Sequence, residues 1–500
     1  MVGRVFSAAV MGIAASPVEV EADMTAGIPS FEMTGNLSST TKEGRERVRV
    51  ALKNSGFHTN PARITINIIP ADVHKEGSHY DLAIALSILI AAGKIEQSLC
   101  NDTMFIGELG LNGRICPVRA VLPMVIAARD NGFKRCIVPI DNLNEASLVP
   151  GMNILGISSI TECIPKLIDS EEYTTHMVPI PVSSYDIDFS QIRGQKAAKR
   201  AITIAAASRH NILLIGPPGA GKSMLAERIP TILPETDFEE VLRITSTYSV
   251  AGMITPENGY IVTRPFRAPH HSISKAGFIG GGIYPLPGEM SLADSGVLFL
   301  DEFNLFNESL VDLMRLPLEK HIIQIKRLYG CVDYPADFML VAAMNPCRCG
   351  FFPDRSRCNC NENDIRRYFG RISKPVMDRI DMCIQVTRSG YDELSGDNHD
   401  EMDSRKMKSL VLKCDEISRE RFKNTDILYN SRIDSSNMDK YCILTPEAHR
   451  IMETAFKKYD LSVRNYYKII KVARTIADMD DCDNINESHV CEAIGYRTVS

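Results

Sequence analysis

The chain has 500 residues, 44% of them hydrophobic and 24% charged, and a formal net charge of −6. That length suggests about three domains, and the composition is that of a soluble globular protein. A net negative charge excludes a global basic field, so any nucleic-acid binding needs a local patch. From the N-terminus, Val5 to Ala15 superficially resembles a secretory apolar run. Arg4 is its only cation, however, and Val18 to Glu21 continues as an alternating strand, so no signal peptide is expected. Ile64–Ile69 reads as a strand and Asp81–Ala92 as a helix. The longest apolar run, Leu82–Gly93, is too short to cross a bilayer.

Residues 1–170 form a first unit of strand-like and helix-like stretches. A polar, acidic and then Pro-rich stretch makes 171–186 a linker, and 187–388 a second unit. Residues 389–408, rich in Gly, Asp and Ser, read as a loop. Residues 409–500 have helical periodicity, clearest over Ala448–Tyr459 and Asn465–Met479.

Within the second unit, Gly216, Pro217, Pro218, Gly219, Ala220, Gly221, Lys222 and Ser223 make a complete phosphate-binding loop. An apolar strand, Asn211–Ile215, precedes it, and Met224–Leu233 follows with helical spacing, the context this motif requires. The glycines let backbone N–H groups wrap an anion, with the following helix N-terminus behind them. Lys222 is placed for the β- and γ-phosphates of ATP and Ser223 for magnesium. Gly296–Leu300 is a second apolar strand, ending in Asp301 and Glu302. Asp301 suits the hold on magnesium and Glu302 the base that activates water. A third strand, Leu340–Met344, ends in Asn345, an amide able to orient that water. Arg379 fits a guanidinium reaching a neighbouring subunit's γ-phosphate; an ordinary helix-end salt bridge is the alternative. Arg464, opening the last helices, is a second candidate nucleotide-sensing arginine.

Together these residues resemble the AAA+ ATPases of the magnesium-chelatase-like branch, and within it the YifB/ComM family. The resemblance is carried by Arg264–His271, Gly288–Asp294, Leu318-Glu319, Tyr334–Phe338 and Asn345–Cys347, and it covers nearly the whole chain. It implies a P-loop AAA+ α/β core with a parallel sheet and a C-terminal helical lid. It also implies self-association into a ring, a hexamer, and two inserts facing a central pore. One insert spans 266–287, with the Gly280–Gly282 triplet. The other reads as a β-hairpin, Ile322–Ile325 with Cys331–Tyr334, carrying Lys326, Arg327 and Tyr329 near its tip. Two cations and a tyrosine would track and stack on DNA, with a solvated turn as the alternative. His270 and His271 are expected to be structural rather than metal ligands.

Cys347, Cys349, Cys358 and Cys360 form two C-x-C pairs in a loop (347–360) too polar to fold by itself, and they are candidate zinc ligands; free thiols are the alternative. Arg348, Arg355, Arg357, Arg366 and Arg367 surround them. Residues 1–170 resemble the Lon-protease-like domain, an S5-type α+β fold. Aligning Lys75–Gly77 with the Lon serine loop places His79 at the nucleophile position and Leu122 at the lysine position. Ser78 has no obvious base, so no proteolysis is expected.

The resemblance thus implies a cytoplasmic, ATP-hydrolysing motor on single-stranded or branched DNA, acting in branch migration; a chelatase-type ATPase that remodels a protein partner is the alternative. In the cytoplasm the fourteen cysteines would be thiols or metal ligands rather than disulfides.

Overall fold

The computed structural model describes residues 2–58, 61–168, 185–327, 330–388 and 402–497. The N-terminal part is built on a mixed seven-stranded sheet. Its strands are β1 (Gly3–Met11), β2 (Ala14–Thr25), β3 (Ser30–Thr34), β4 (Arg63–Ile69), β5 (Thr103–Phe105), β8 (Arg135–Pro139) and β9 (Asn153–Ile157), in the order β3-β4-β2-β1-β5-β8-β9. The two short strands between β5 and β8, β6 (Glu108–Leu109) and β7 (Ile115–Cys116), pair with each other instead. The apolar run at the N-terminus is therefore strand, β1 pairing antiparallel with β2 from Gly3 opposite Ala22 to Met11 opposite Ala14. The helix Asp81–Ala91 is apolar all round, and every residue from Asp81 to Ile90 is buried, as expected of a core helix.

The second sheet is fully parallel. Its strands are β10 (Ile212–Ile215), β11 (Phe266–Arg267), β14 (Val297–Leu300), β17 (Met339–Met344) and β18 (Met382–Gln385), ordered β11-β14-β17-β10-β18. β10, β14 and β17 are buried along their whole length, which explains their continuous rather than alternating hydrophobicity. Between these strands lie two hairpins. One pairs β12 (Gly280–Gly281) with β13 (Leu286–Pro287), and the other pairs β15 (Ile322–Arg327) with β16 (Gly330–Pro335). The second is the hairpin expected from the alternation of Ile323, Ile325, Val332 and Tyr334, all buried, with exposed neighbours.

Two sequence expectations need correction. The helix after the phosphate loop spans only Lys222–Glu227 and gives way to a 3₁₀ turn, Ile229–Thr231. Pro230 has no N–H to continue an α-helix, and periodicity alone did not register that. Within the loop expected at 389–408, Ser404 onward is instead the helix Ser404–Arg421, capped by Asp403, whose side chain accepts from Lys406 N. Asp403, polar as a loop residue would be, is a helix cap. Residues 389–401, most of the 171–186 linker, and Tyr329 lie outside the described residues.

The C-terminal part is helical, including Pro446–Lys458, Val463–Met479 and Glu487–Gly495. Its apolar faces share one core with the helix Lys196–Ala207 and with β10. The N-terminal part docks on the second hairpin. Val10 and Ile13 join the cluster formed by Ile323, Ile325, Val332 and Tyr334, and any Cβ at Gly12 (φ +66°) would collide with Val332. Among the described residues no helix is long and apolar enough to cross a membrane.

Candidate nucleotide site

All three strand ends that the sequence singled out meet at the C-terminal edge of the parallel sheet. Pairing of β17 with both β10 and β14 brings Gly216, Asn345 and Asp301 to that edge together. Lys222, buried, donates from Nζ to the carbonyls of Gly216 (2.7 Å) and Pro217 (3.1 Å) and to Asn345 Oδ1 (3.1 Å). Ser223 Oγ donates to Asp301 Oδ2 at 2.8 Å, pairing the two residues expected to hold magnesium. Burial lowers the Lys222 pKa, opposed by Asp301 and Glu302. An ammonium held by neutral acceptors in a partly desolvated site has an unmet preference for an anion.

The loop itself fits a phosphate chain. Gly219 (φ +73°) and Gly221 (φ +86°) are left-handed, and a Cβ at either would meet nothing within 4 Å. Conformation, not crowding, therefore requires glycine, and the space the loop encloses is open. Ala220 is buried beneath it.

Glu302 adopts φ +49°, left-handed for a residue with a side chain, a strained turn of the kind that concentrates at working sites. Its N–H donates to Asp301 Oδ1 at 2.8 Å, and its carboxylate is 55% exposed. His271 Nδ1 stands 3.8 Å from that carboxylate. His271 was read as structural; its nearness to Glu302 was visible only once the insert was folded. His270 is exposed, with Nδ1 2.7 Å from Ser272 Oγ.

Comparison with known proteins agrees with this geometry. The model described as magnesium chelatase, subunit ChlI, matches residues 188–394; a second, subunit ChlI of Mg-chelatase, matches 20–142; the ChlI C-terminal model matches 401–497. Competence protein ComM of Haemophilus influenzae is 38% identical over 504 residues, covering 99% of this chain and 97% of that one. YifB of Escherichia coli is 36% identical over 498 residues, covering 99% and 97%. The chain belongs to the YifB/ComM family of magnesium-chelatase-like AAA+ proteins. Its N-terminal part also resembles Lon proteases: Lon protease 2 of Bacillus subtilis is 29% identical over 171 residues, covering 31% of this chain and 30% of that one.

The remaining family-type residues lie elsewhere. Arg379 sits just ahead of β18, at the opposite edge of the sheet from the phosphate loop. Asn211, immediately before β10, donates from Nδ2 to the Arg379 carbonyl at 3.1 Å. The Arg379 guanidinium donates to the carbonyls of Arg315 (3.1 Å) and Pro375 (2.5 Å) and pairs with Glu319. It lines a cavity of about 390 Å³ together with Arg464, Lys468, Lys471 and Arg432. No residue of Gly216–Ser223 lines that cavity. Arg379 and Arg464, 85 positions apart in the chain, thus share one recess, whose cations are interleaved with Glu319, Asp378, Asp381 and Asp434.

Arg264, first residue of a family stretch, is structural. It donates to both oxygens of Glu240 (2.9 and 2.8 Å), which Arg209 also engages at 2.7 Å. Burial pushes the Glu240 carboxyl up, but the two guanidinium groups outweigh it and hold it at about 2.

Lys326 and Arg327 are exposed on the second hairpin, and a Cβ at Gly281 would lie 3.0 Å from Arg327 Nη2, so the two inserts are side by side. In the N-terminal part, His79 is buried with Nε2 2.8 Å from the Ala8 carbonyl, and Leu122 is fully buried. Ser78, expected to have no obvious base, donates to the Glu108 carboxylate, a contact made across 30 positions that local spacing could not reveal. The four cysteine sulfurs of 347–360 converge to within 4.8 Å of one another.

Proposed function

We propose that the chain is an ATP-hydrolysing motor that closes into a ring, a hexamer, and acts on DNA. Three units are implied: a Lon-like domain without proteolysis (1–170), the ATPase core (187–388) and the lid (409–500). The observation that carries the reading is the division of the nucleotide machinery between two edges of one sheet. Lys222, Ser223, Asp301, Glu302 and Asn345 occupy one edge. Arg379 and Arg464 open onto a recess at the other, so a complete site needs a second copy of the chain. Arg464 lines the same recess as a second nucleotide-sensing arginine, able to act in cis or in trans.

Magnesium–ATP, when bound, supplies the phosphoryl group that is transferred to water. Lys222 holds the phosphate oxygens, and Ser223 with Asp301 holds the cation side. Glu302 accepts the proton of the attacking water, which Asn345 orients. Arg379 of the next subunit stabilises charge that develops as the bond to the leaving oxygen breaks.

DNA as the substrate is supported by exposed Lys326 and Arg327 on a hairpin flanked by the glycine insert. One relative is named a competence protein, which is why recombination or natural transformation is the proposed setting. The chelatase models over 188–394 and 401–497 favour a second reading, a motor that remodels a protein partner. Steady-state ATPase separates the two, measured alone and with single-stranded, duplex and four-way-junction DNA, with Lys222→Ala as the blank. Stimulation by DNA, greatest with junctions and lost in Arg327→Ala, is expected. Flat turnover across all three DNAs would favour the protein-directed reading.

A further inference from the structure

Asn345 directly follows β17, and only Pro346 separates that amide from Cys347. The chain then folds so that Cys347, Cys349, Cys358 and Cys360 present four sulfurs within 4.8 Å of one another. Three of the S···S separations are 3.2, 3.5 and 3.8 Å. A tetrahedral ion with Zn–S bonds of about 2.3 Å sets its sulfurs about 3.8 Å apart. Phe352 N–H points at Cys347 Sγ, 3.4 Å away, as a backbone donor does toward an electron-rich thiolate. None of the fourteen cysteines is in a disulfide. Apolar support is limited: Cys347, Cys358 and Ile365 are the buried members of a small cluster, with Phe351, Phe352 and Phe369 only partly buried against it, while Arg348, Arg355 and Arg357 are exposed. Ordering such a loop needs a favourable interaction that its own packing does not provide.

The same loop presses on the phosphate loop. Gly350, next to Cys349, is left-handed (φ +84°), and a Cβ there would lie 2.5 Å from Pro218 Cδ. Arg388 closes the junction, donating to the Pro218 carbonyl at 2.9 Å while its guanidinium lies 5.7 Å from the centroid of Phe351. At its N-terminal end the loop is continuous with Asn345, which accepts from Lys222. The cysteine loop therefore meets the nucleotide site at two points, Pro218 and Asn345.

We propose that the four cysteines bind one zinc ion, and that this centre buttresses the phosphate loop so that nucleotide binding depends on the metal. The inference rests on reading Gly216–Ser223 as the ATP site. Four soft thiolates in tetrahedral array select zinc, or iron in the same geometry, over oxygen-seeking cations. Without the ion, Pro218 loses its backing and Asn345 the anchor two residues beyond it.

The test uses the full-length chain, with bound metals measured by plasma mass spectrometry and ADP affinity by titration calorimetry. About one zinc per chain is expected, absent from a Cys358→Ser/Cys360→Ser double variant that also binds ADP more weakly. Gly350→Ala separates packing from metal: zinc is retained, while the strained, intruding methyl weakens ADP binding at least about fivefold. Iron, or no stoichiometric metal, in the unaltered chain overturns the zinc assignment. Gly350→Ala binding ADP as the unaltered chain does overturns the buttress, even if the serine variant is too disordered to interpret. Failure of the unaltered, zinc-loaded chain to bind ADP overturns the nucleotide reading instead.

Discussion

Removal of the Arg379 guanidinium tests the split site most directly. Arg379 lies three residues ahead of β18 and Gly216 follows the end of β10, strands paired in parallel from Ile212 opposite Met382. Four strand residues at about 3.3 Å each put about 13 Å between the two edges, more than an arginine side chain spans. The guanidinium is also turned toward Arg315 and Glu319. Engaging a neighbour's phosphate requires leaving Glu319, a half-exposed partner (52%). The Arg379 side chain is itself only 12% exposed and would also give up the Arg315 and Pro375 carbonyls, so release costs more than the about 0.2–1 kcal/mol of a surface pair. A trans arginine raises turnover by a factor of about 10³–10⁵, or about 4–7 kcal/mol net of that release. Arg379→Ala should therefore lower kcat about 10³-fold or more and leave ADP binding by the single chain unchanged. Mixed in equal amounts with Lys222→Ala, about one interface in four would pair an intact phosphate loop with an intact arginine. About a quarter of normal turnover should return if sites act independently. The assay is phosphate release across mixing ratios, with native mass spectrometry to verify mixed rings. Verified mixed rings with no recovery at any ratio would refute the trans assignment.

Two further outcomes follow from named groups. Glu302→Gln should keep ATP binding and lower turnover about 10²–10⁴-fold; an unchanged phosphate-release rate would remove Glu302 from the mechanism. In the Lon-like part, burial holds His79 at about 4, against the ordinary 6.5. The unfolded chain then takes up the proton first, so this contribution to stability is complete above pH 6.5 and is lost as pH falls toward 4. The gap amounts to about 3 kcal/mol at most. His321, lowered to about 4 by burial and by Arg432, acts in the same direction. His79→Gln should therefore flatten, without abolishing, the pH dependence of urea unfolding between pH 6.5 and 4.5; the same slope in both proteins would contradict this.

Much of the nucleotide site is local chemistry, which is why it was legible. Eight consecutive residues make the phosphate loop, and single strands carry Asp301, Glu302 and Asn345 at their ends. Residue type and period suffice where the participants are neighbours in the chain. The hairpin of Ile323, Ile325, Val332 and Tyr334 was legible for the same reason: alternation records which face is buried. Propensity misled where one residue outweighed the pattern, as Pro230 did in ending a helix and Asp403 in starting one.

The sequence by itself determined that a phosphate loop, two acidic residues and a sensing amide follow buried strands, and that four cysteines lie in one polar loop. Tertiary structure alone decided how these meet. Parallel pairing of β10, β14 and β17 gathers three strand ends at one edge and leaves Arg379 at the other. Packing of the last helices against β10's core brings Arg464 into the same recess. Chain folding sets Ser78 against Glu108, His271 near Glu302, and Gly350 against Pro218. Each of these contacts joins residues tens of positions or more apart, and sheet register and side-chain packing, which local composition does not encode, determine them.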